Sequence, residues 1–181
     1  MRYVALLRAV NVGGAKLPMA QLREVCAGLG WRAVETYIQS GNLVFESDAS
    51  APELEAQLEQ AVERHFGLVR PVMVRTAQQW QAHAAGSPFP AQERDQPNHL
   101  LLGIAKRPLA AGAAETLQAR GAAGEEVRQG ADALWFWFPQ GSGVSKLTPA
   151  AIDKAAGSPV TTRNWRTVQK LAEMLQPADL N

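Results

Sequence analysis

The 181 residues predict an α+β chain built on a ferredoxin-like βαββαβ unit followed by a related, incomplete βαββαα unit, a duplication at the level of element order. Three observations carry this. An apolar run, Tyr3 to Leu7, opens the chain as a buried strand. Two segments of helical period, after Pro18 and after Ser50, alternate with runs rich in β-branched and aromatic residues. The same succession of strand, helix, strand, strand and helix starts again after residue 98. The residues themselves do not repeat, so the duplication rests on order alone.

Taken in sequence, Tyr3–Leu7 leads into Arg8-Ala9-Val10-Asn11-Val12-Gly13-Gly14-Ala15-Lys16-Leu17. Pro18 suits a first helical position, Met19, Leu22, Val25, Cys26 and Leu29 recur on one helical face, and Gly30 stops the helix. Residues 32–38 and 42–46 form a hairpin around Gln39-Ser40-Gly41. Ser50 with Glu53 makes a capping box for a helix lined by Leu54, Leu58, Ala61, Val62, His65 and Phe66 and ended by Gly67. Residues 71–75 close the first unit, so the domain reading is 1–76 for the first subdomain, 77–98 for a short helix and a proline-rich linker, and 99–181 for the second. In that second part, residues 99–105 read as a strand, 109–120 as a helix, and 125–128 with 133–138 as a hairpin around residues 129–132. Thr148 and Thr162 are the expected N-caps of the last two helices, the second running through Leu175.

Composition excludes several classes. Eighteen basic and 17 acidic residues leave a net charge of +1, so no general field holds the chain on nucleic acid or an anionic membrane. The single cysteine, Cys26, excludes an intramolecular disulfide and falls on an apolar helix face, a core position. No apolar run reaches membrane length, and the expectation is a cytoplasmic protein. His65, His83 and His99 are scattered without ligand spacing, so no metal and no cofactor is expected. Ser40 and Ser145 lie in glycine-containing turns without a nucleophile elbow or a base; no catalytic constellation is present.

Polar residues converge at one end of the first sheet. With sheet order 4-1-3-2, the exit of the first strand and the turn between the second and third share an end, bringing Arg8, Asn11, Gly13, Gly14 and Lys16 near Gln39, Ser40 and Asn42. Leu17 cannot cap the following helix, so its first-turn N–H groups are available to an anion beside Arg8 and Lys16. Lys146, Arg163 and Asn164 form a second concentration, with Arg163 and Arg166 read as opposing a helix dipole. The favoured partner is an anionic small molecule or a nucleic-acid end. The alternative is a non-catalytic interaction or homodimerisation module using an aromatic face of Trp135 and Trp137. Sequence-specific RNA binding is disfavoured, because the first and third strands offer only Tyr3 and Phe45 instead of paired exposed aromatics.

Four ordered motifs, Arg8–Gly14, Tyr37–Asn42, Lys146–Thr148 and Thr161–Trp165, resemble a family of mostly bacterial proteins catalogued as domain of unknown function 1697. The resemblance spans nearly the whole chain and implies a ferredoxin-like fold without implying an activity. Ala9 stands where that pattern leads one to expect Gly. If the position requires a positive φ, the loop here is expected to be shaped differently.

Overall fold

The computed structural model describes residues 1–130 and 132–177. Its elements are β1 (Arg2–Leu7), α1 (Met19–Gly28), β2 (Arg32–Tyr37), β3 (Asn42–Glu46), α2 (Ala51–Phe66), β4 (Val72–Thr76), α3 (Ala77–Ala84) and α4 (Pro90–Asp95). The second half holds β5 (Leu100–Ala105), α5 (Ala113–Arg120), β6 (Glu126–Gln129), β7 (Ala133–Trp137), α6 (Pro149–Ala156), β8 (Val160–Asn164) and α7 (Trp165–Met174), with a 3-10 turn at Ser142–Val144. The chain is mixed α/β with two four-stranded antiparallel sheets and divides into two compact units. One is Met1–Ala82 with the described residues from Lys170 to Pro177; the other is His83–Gln169.

In the first unit the sheet order is β2-β3-β1-β4. Tyr3 pairs with Phe45 and Leu6 with Asn42, while Leu7 pairs with Val72 at the end where β1 leaves the sheet. Alternation sends Tyr3, Ala5, Leu7, Leu43, Phe45, Val72 and Val74 into one core with Leu22 and Cys26 of α1 and Leu54, Leu58 and Val62 of α2. Trp31 stacks on Phe45 at 4.0 Å between ring centroids. Both aromatics on β1 and β3 are therefore inside, and no base can stack on them. The capping box forms as its spacing predicts: the Ser50 N–H donates to Glu53 Oε2 at 2.8 Å, and Gly67 ends α2 at φ 66°. Arg2 donates from Nη2 to the Met174 carbonyl at 2.9 Å and from Nη1 to that of Gln176 at 3.2 Å, tying the C-terminal stretch to β1. Pro18 is the N-cap of α1 and not its first helical residue.

Cys26 is fully buried in this core, and burial pushes its thiol from 9.0 up to about 12. The unfolded chain releases this proton near pH 9 while the native chain keeps it, so the native state binds more protons and stability falls as pH rises from about 9 toward 12. The expected contribution is a slope of about 1.4 kcal/mol per pH unit. Urea denaturation at pH 9 and 10.5 should show a shallower loss in Cys26→Ala than in wild type; equal slopes would remove the thiol as the cause.

The second sheet has order β6-β7-β5-β8. Leu134, Phe136 and Phe138 share a core with Ala113, Ala114 and Leu117 of α5 and Ile152 and Ala156 of α6. The alternate residues Leu100, Leu102, Ile104 and Trp135 are buried too, so this sheet, like the first, is apolar on both faces.

Two expectations are corrected. The second unit is not an incomplete βαββαα: Val160–Asn164 is its fourth strand, pairing with β5 from Leu101↔Asn164 to Ala105↔Val160. The β-branched Val160-Thr161-Thr162 run after Pro159 was the available signal, and reading Thr162 as a helix cap hid it. Thr162 sits in that strand, and Asn164 caps α7 instead, its Oδ1 accepting from the Thr167 N–H at 2.9 Å. The stretch of residues 86–98, read as linker, contains α4, with Pro90 at its first turn. Of the turn expected at residues 129–132, Ala131 lies outside the described residues.

Candidate functional site

The loop from Arg8 to Leu17 is shaped by four positive φ angles, at Ala9 (54°), Asn11 (55°), Gly13 (57°) and Gly14 (85°). Asn11 holds it closed. Its Oδ1 accepts from the Leu17 N–H at 2.8 Å, its Nδ2 donates to the Leu17 carbonyl at 2.9 Å and to the Gln39 carbonyl at 2.6 Å, and its own N–H donates to the Ala15 carbonyl at 2.6 Å. One side chain thus staples the loop to itself and to the β2–β3 turn, which is the juxtaposition that the sheet order predicts.

Ala9 adopts the positive φ that favours glycine, so the loop keeps its left-handed turn despite carrying a Cβ there. Its carbonyl accepts from Arg70 Nε at 3.1 Å. Ala9→Gly should raise stability by about 0.5–1 kcal/mol, the relief of strain exceeding the added freedom of the unfolded chain. Chemical denaturation checks this, and a loss of stability would show that the Ala9 backbone is unstrained.

In the β2–β3 turn the sequence pattern serves the fold. Asn42 is fully buried, and its Nδ2 donates to the Tyr37 carbonyl and to Ser40 Oγ, both at 2.9 Å. Gly41 has φ 85°, and its carbonyl accepts from the Leu7 N–H at 2.9 Å. Ser40 and Asn42 therefore shape the turn.

Between this loop, the turn and the start of α1 lies a groove of about 550 Å³ lined by Asn11, Gly14, Ala15, Lys16, Pro18 and Gln39. Among the described residues, the side chains of Lys16 and Gln39 make no hydrogen bond or ion pair. Helix α1 has no side-chain N-cap and no acidic residue in its first turn. Arg8 is half-buried, its N–H bonds the Pro71 carbonyl at 3.1 Å, and it does not line the groove; nor do Gly13, Ser40 and Asn42. Ala15 and Pro18 do, and their places beside Lys16 in the loop were the signal for them. Arg70, which the residue pattern did not single out, reaches Ala9 because β4 begins beside the end of β1.

The second concentration belongs to the other unit. Lys146 is exposed, and its carbonyl accepts from Arg120 Nε at 2.8 Å. Arg163 is in β8, one residue before the Asn164 cap, while Arg166 lies in the first turn of α7, where the expected conflict with the helix dipole stands. The buried Nη1 of Arg163 donates to Thr161 Oγ1 at 2.7 Å and to the Thr162 carbonyl at 2.9 Å, and burial draws the guanidinium down to about 10. Asn164 is spent as a helix cap. A cleft of about 330 Å³ in this unit is lined by apolar Leu101, Phe138, Leu147 and Ile152 together with Ser145, Thr148 and Thr162. Buried Glu125 accepts from Ser145 Oγ at 2.7 Å and from the Ala123 N–H at 2.8 Å, the serine bond first holding its carboxyl below the ordinary range. Ser145 Oγ also accepts from the Leu147 N–H at 3.0 Å, so the pair fixes the loop.

Among the described residues no cluster of His, Cys, Asp and Glu could hold a metal, and no helix is long and apolar enough to cross a membrane. No curated protein matches the chain. Among solved structures it is similar to the conserved bacterial protein SP0830 from Streptococcus pneumoniae, at 24% identity and a TM-score of 0.71, over 96% of this chain and 97% of that one. That likeness is one of fold. The model of the family described as "Protein of unknown function (DUF1697)" matches residues 1–135, a span that includes the Arg8–Gly14 and Tyr37–Asn42 motifs and stops before the other two. The chain therefore belongs to the DUF1697 family.

Proposed function

We propose that this protein binds an anionic ligand, such as a nucleotide, a phosphorylated metabolite or a nucleic-acid end, in the groove between the β1–α1 loop and the β2–β3 turn. One observation carries the reading: an open groove at an uncapped helix start, whose Lys16 and Gln39 side chains have no partner among the described residues. Lys16 supplies the charge, the first-turn N–H groups of α1 supply oriented donors, and Gln39 adds an amide. Asn11, although predicted to orient the ligand, acts on it through the loop it holds.

The corresponding place in the second unit supports the choice by contrast. There α5 carries Glu115 in its first turn, and Gln129 Oε1 accepts from the Ala114 N–H at 3.4 Å. That helix start has an acidic residue and an amide oxygen accepting from one of its N–H groups, while α1 has no acidic residue in its first turn and no side-chain cap. Residues 1–76 and 99–181 correspond as duplicated ferredoxin-like units, a reading that their shared sheet order, second-third-first-fourth, supports. A cytoplasmic place accords with small phosphorylated ligands. The ligand reading is favoured over the interaction-module alternative because Trp135 is buried and Trp137 is half-buried and donates from Nε1 to Gln96 Oε1 at 2.8 Å.

Thermal unfolding across nucleotides, sugar phosphates, short oligonucleotides and simple anions tests the reading. A ligand at about a hundred times its Kd adds roughly 2.7 kcal/mol, or about 5 to 11 °C in a chain of this size. The shift should appear in wild type and largely disappear in Lys16→Ala. No shift across the panel, or one that survives the substitution intact, would displace the site.

A further inference from the structure

By register, a place that a tyrosine fills in the first sheet is held by a leucine in the second. Tyr3 on β1 pairs with Phe45 on one side and Thr76 on the other; Leu101 on β5 pairs with Phe136 and Asn164, the matching positions. Tyr3 is buried, its ring stacks on Phe45 at 5.7 Å between centroids, and its hydroxyl donates to the Ala49 carbonyl at 2.8 Å, just ahead of the Ser50 N-cap of α2. In the second unit the residue just ahead of an N-cap is Leu147, which precedes Thr148 and α6. Leu101 has neither the ring nor the hydroxyl that Tyr3 brings, and the cleft of about 330 Å³ lies here, lined by both Leu101 and Leu147.

None of the side chains lining this cleft is charged. Phe138 and Ile152, both buried, complete its apolar lining with the two leucines. Of its hydroxyls, Ser145 donates to Glu125 and Thr148 accepts from the Ala151 N–H at 3.2 Å. The side chain of Thr162, by contrast, makes no hydrogen bond among the described residues. Thr162 pairs with Gly103 as Val74 pairs with Ala5, so the second unit carries a hydroxyl where the first carries a methyl. An ionic group in such a place would lose hydration and meet no countercharge, which leaves an uncharged ligand. The volume stands at the lower end of the range, roughly 300–1,000 Å³, of pockets that take small organic molecules.

We infer that the cleft of the second unit binds a small uncharged phenol or aryl alcohol. Its ring takes the place that the Tyr3 ring takes in the first unit, against Leu101, Phe138 and Ile152, and its hydroxyl meets Thr162 and the Leu147 carbonyl as that of Tyr3 meets the Ala49 carbonyl. The inference does not rest on the anion-binding reading of the other groove.

Titration of p-cresol, toluene and p-hydroxybenzoate into isotope-labelled protein, followed by amide NMR, tests it. In wild type p-cresol should shift the Leu147, Thr148 and Thr162 amides saturably. It should bind about fivefold or more tightly than toluene, the worth of one hydrogen bond, and about tenfold or more tightly than p-hydroxybenzoate, which adds a charge. Leu101→Tyr should fill the cleft, raise the melting temperature and abolish saturable binding. Thr162→Val keeps the β-branched shape, so it tests the site even if Leu101→Tyr does not fold; it should erase most of the preference for p-cresol over toluene and leave toluene binding unchanged. Absence of saturable shifts with all three probes, equal affinity for p-cresol and toluene in wild type, or p-cresol binding that survives in a folded Leu101→Tyr would overturn the inference. So would a preference for p-cresol that Thr162→Val leaves intact.

Discussion

Gly41→Ala is expected to lower stability by about 3 kcal/mol, which in a chain of this size moves the melting temperature down by roughly 6–12 °C. Two costs combine. At φ 85° an L-residue pays about 1–2 kcal/mol for its Cβ. The added methyl would also stand 2.7 Å from Val10 Cγ2 and 3.0 Å from Leu7 Cβ, both on buried residues that cannot swing away. Overpacking of this kind costs about 1–3 kcal/mol, and the reduced freedom of the unfolded chain returns only about 0.4–1. Urea denaturation measures the loss. A change below about 1 kcal/mol would mean that the β2–β3 turn can move off the β1–α1 loop.

Asn11→Ala should cost about 2–3 kcal/mol and weaken any ligand of the groove. It removes the bonds to the Leu17 N–H, the Leu17 carbonyl and the Gln39 carbonyl, each worth about 1 kcal/mol net and less where water can replace it. It also leaves alanine at φ 55°. Asn11→Gly separates the two causes, because glycine accepts the backbone but restores no hydrogen bond. It should therefore be about 1 kcal/mol less damaging in denaturation while losing ligand affinity equally. If Asn11→Gly keeps full affinity, the staple does not shape the groove.

These two residues show how far the residue pattern reads. Gly41 and Asn11 both stand out in the sequence, and the meeting of the turn and the loop that carry them follows from strand order and handedness alone. What each does there is a different matter. Asn11, Ser40 and Asn42 look like ligand-orienting side chains because their residue types can do either job; in the structure their amides and hydroxyl answer backbone groups and one another. The same holds in the second unit, where Asn164 caps α7 and Arg163 bonds Thr161 and Thr162. Lys16 and Gln39 differ from them in nothing visible locally.

The missed strand has a similar origin. Val160–Asn164 is five residues long, and whether Thr162 ends a strand edge or begins a helix depends on β5 lying alongside. Local chemistry suits both. Short elements carry too little periodicity to outweigh a plausible cap, whereas α2, with its capping box, its four buried apolar residues and Gly67, is specified at every level.

By itself the sequence determined the long helices, the seven other strands, the first sheet's order and hence the end of that sheet at which a ligand site could lie, because hydrophobic period, turn residues and connection rules act over short stretches of chain. Only the tertiary structure decided which polar groups at that end are already satisfied and which face open space. Satisfaction of a donor or acceptor is set by partners brought from as far apart as Asn11 and Gln39, and no local pattern records it.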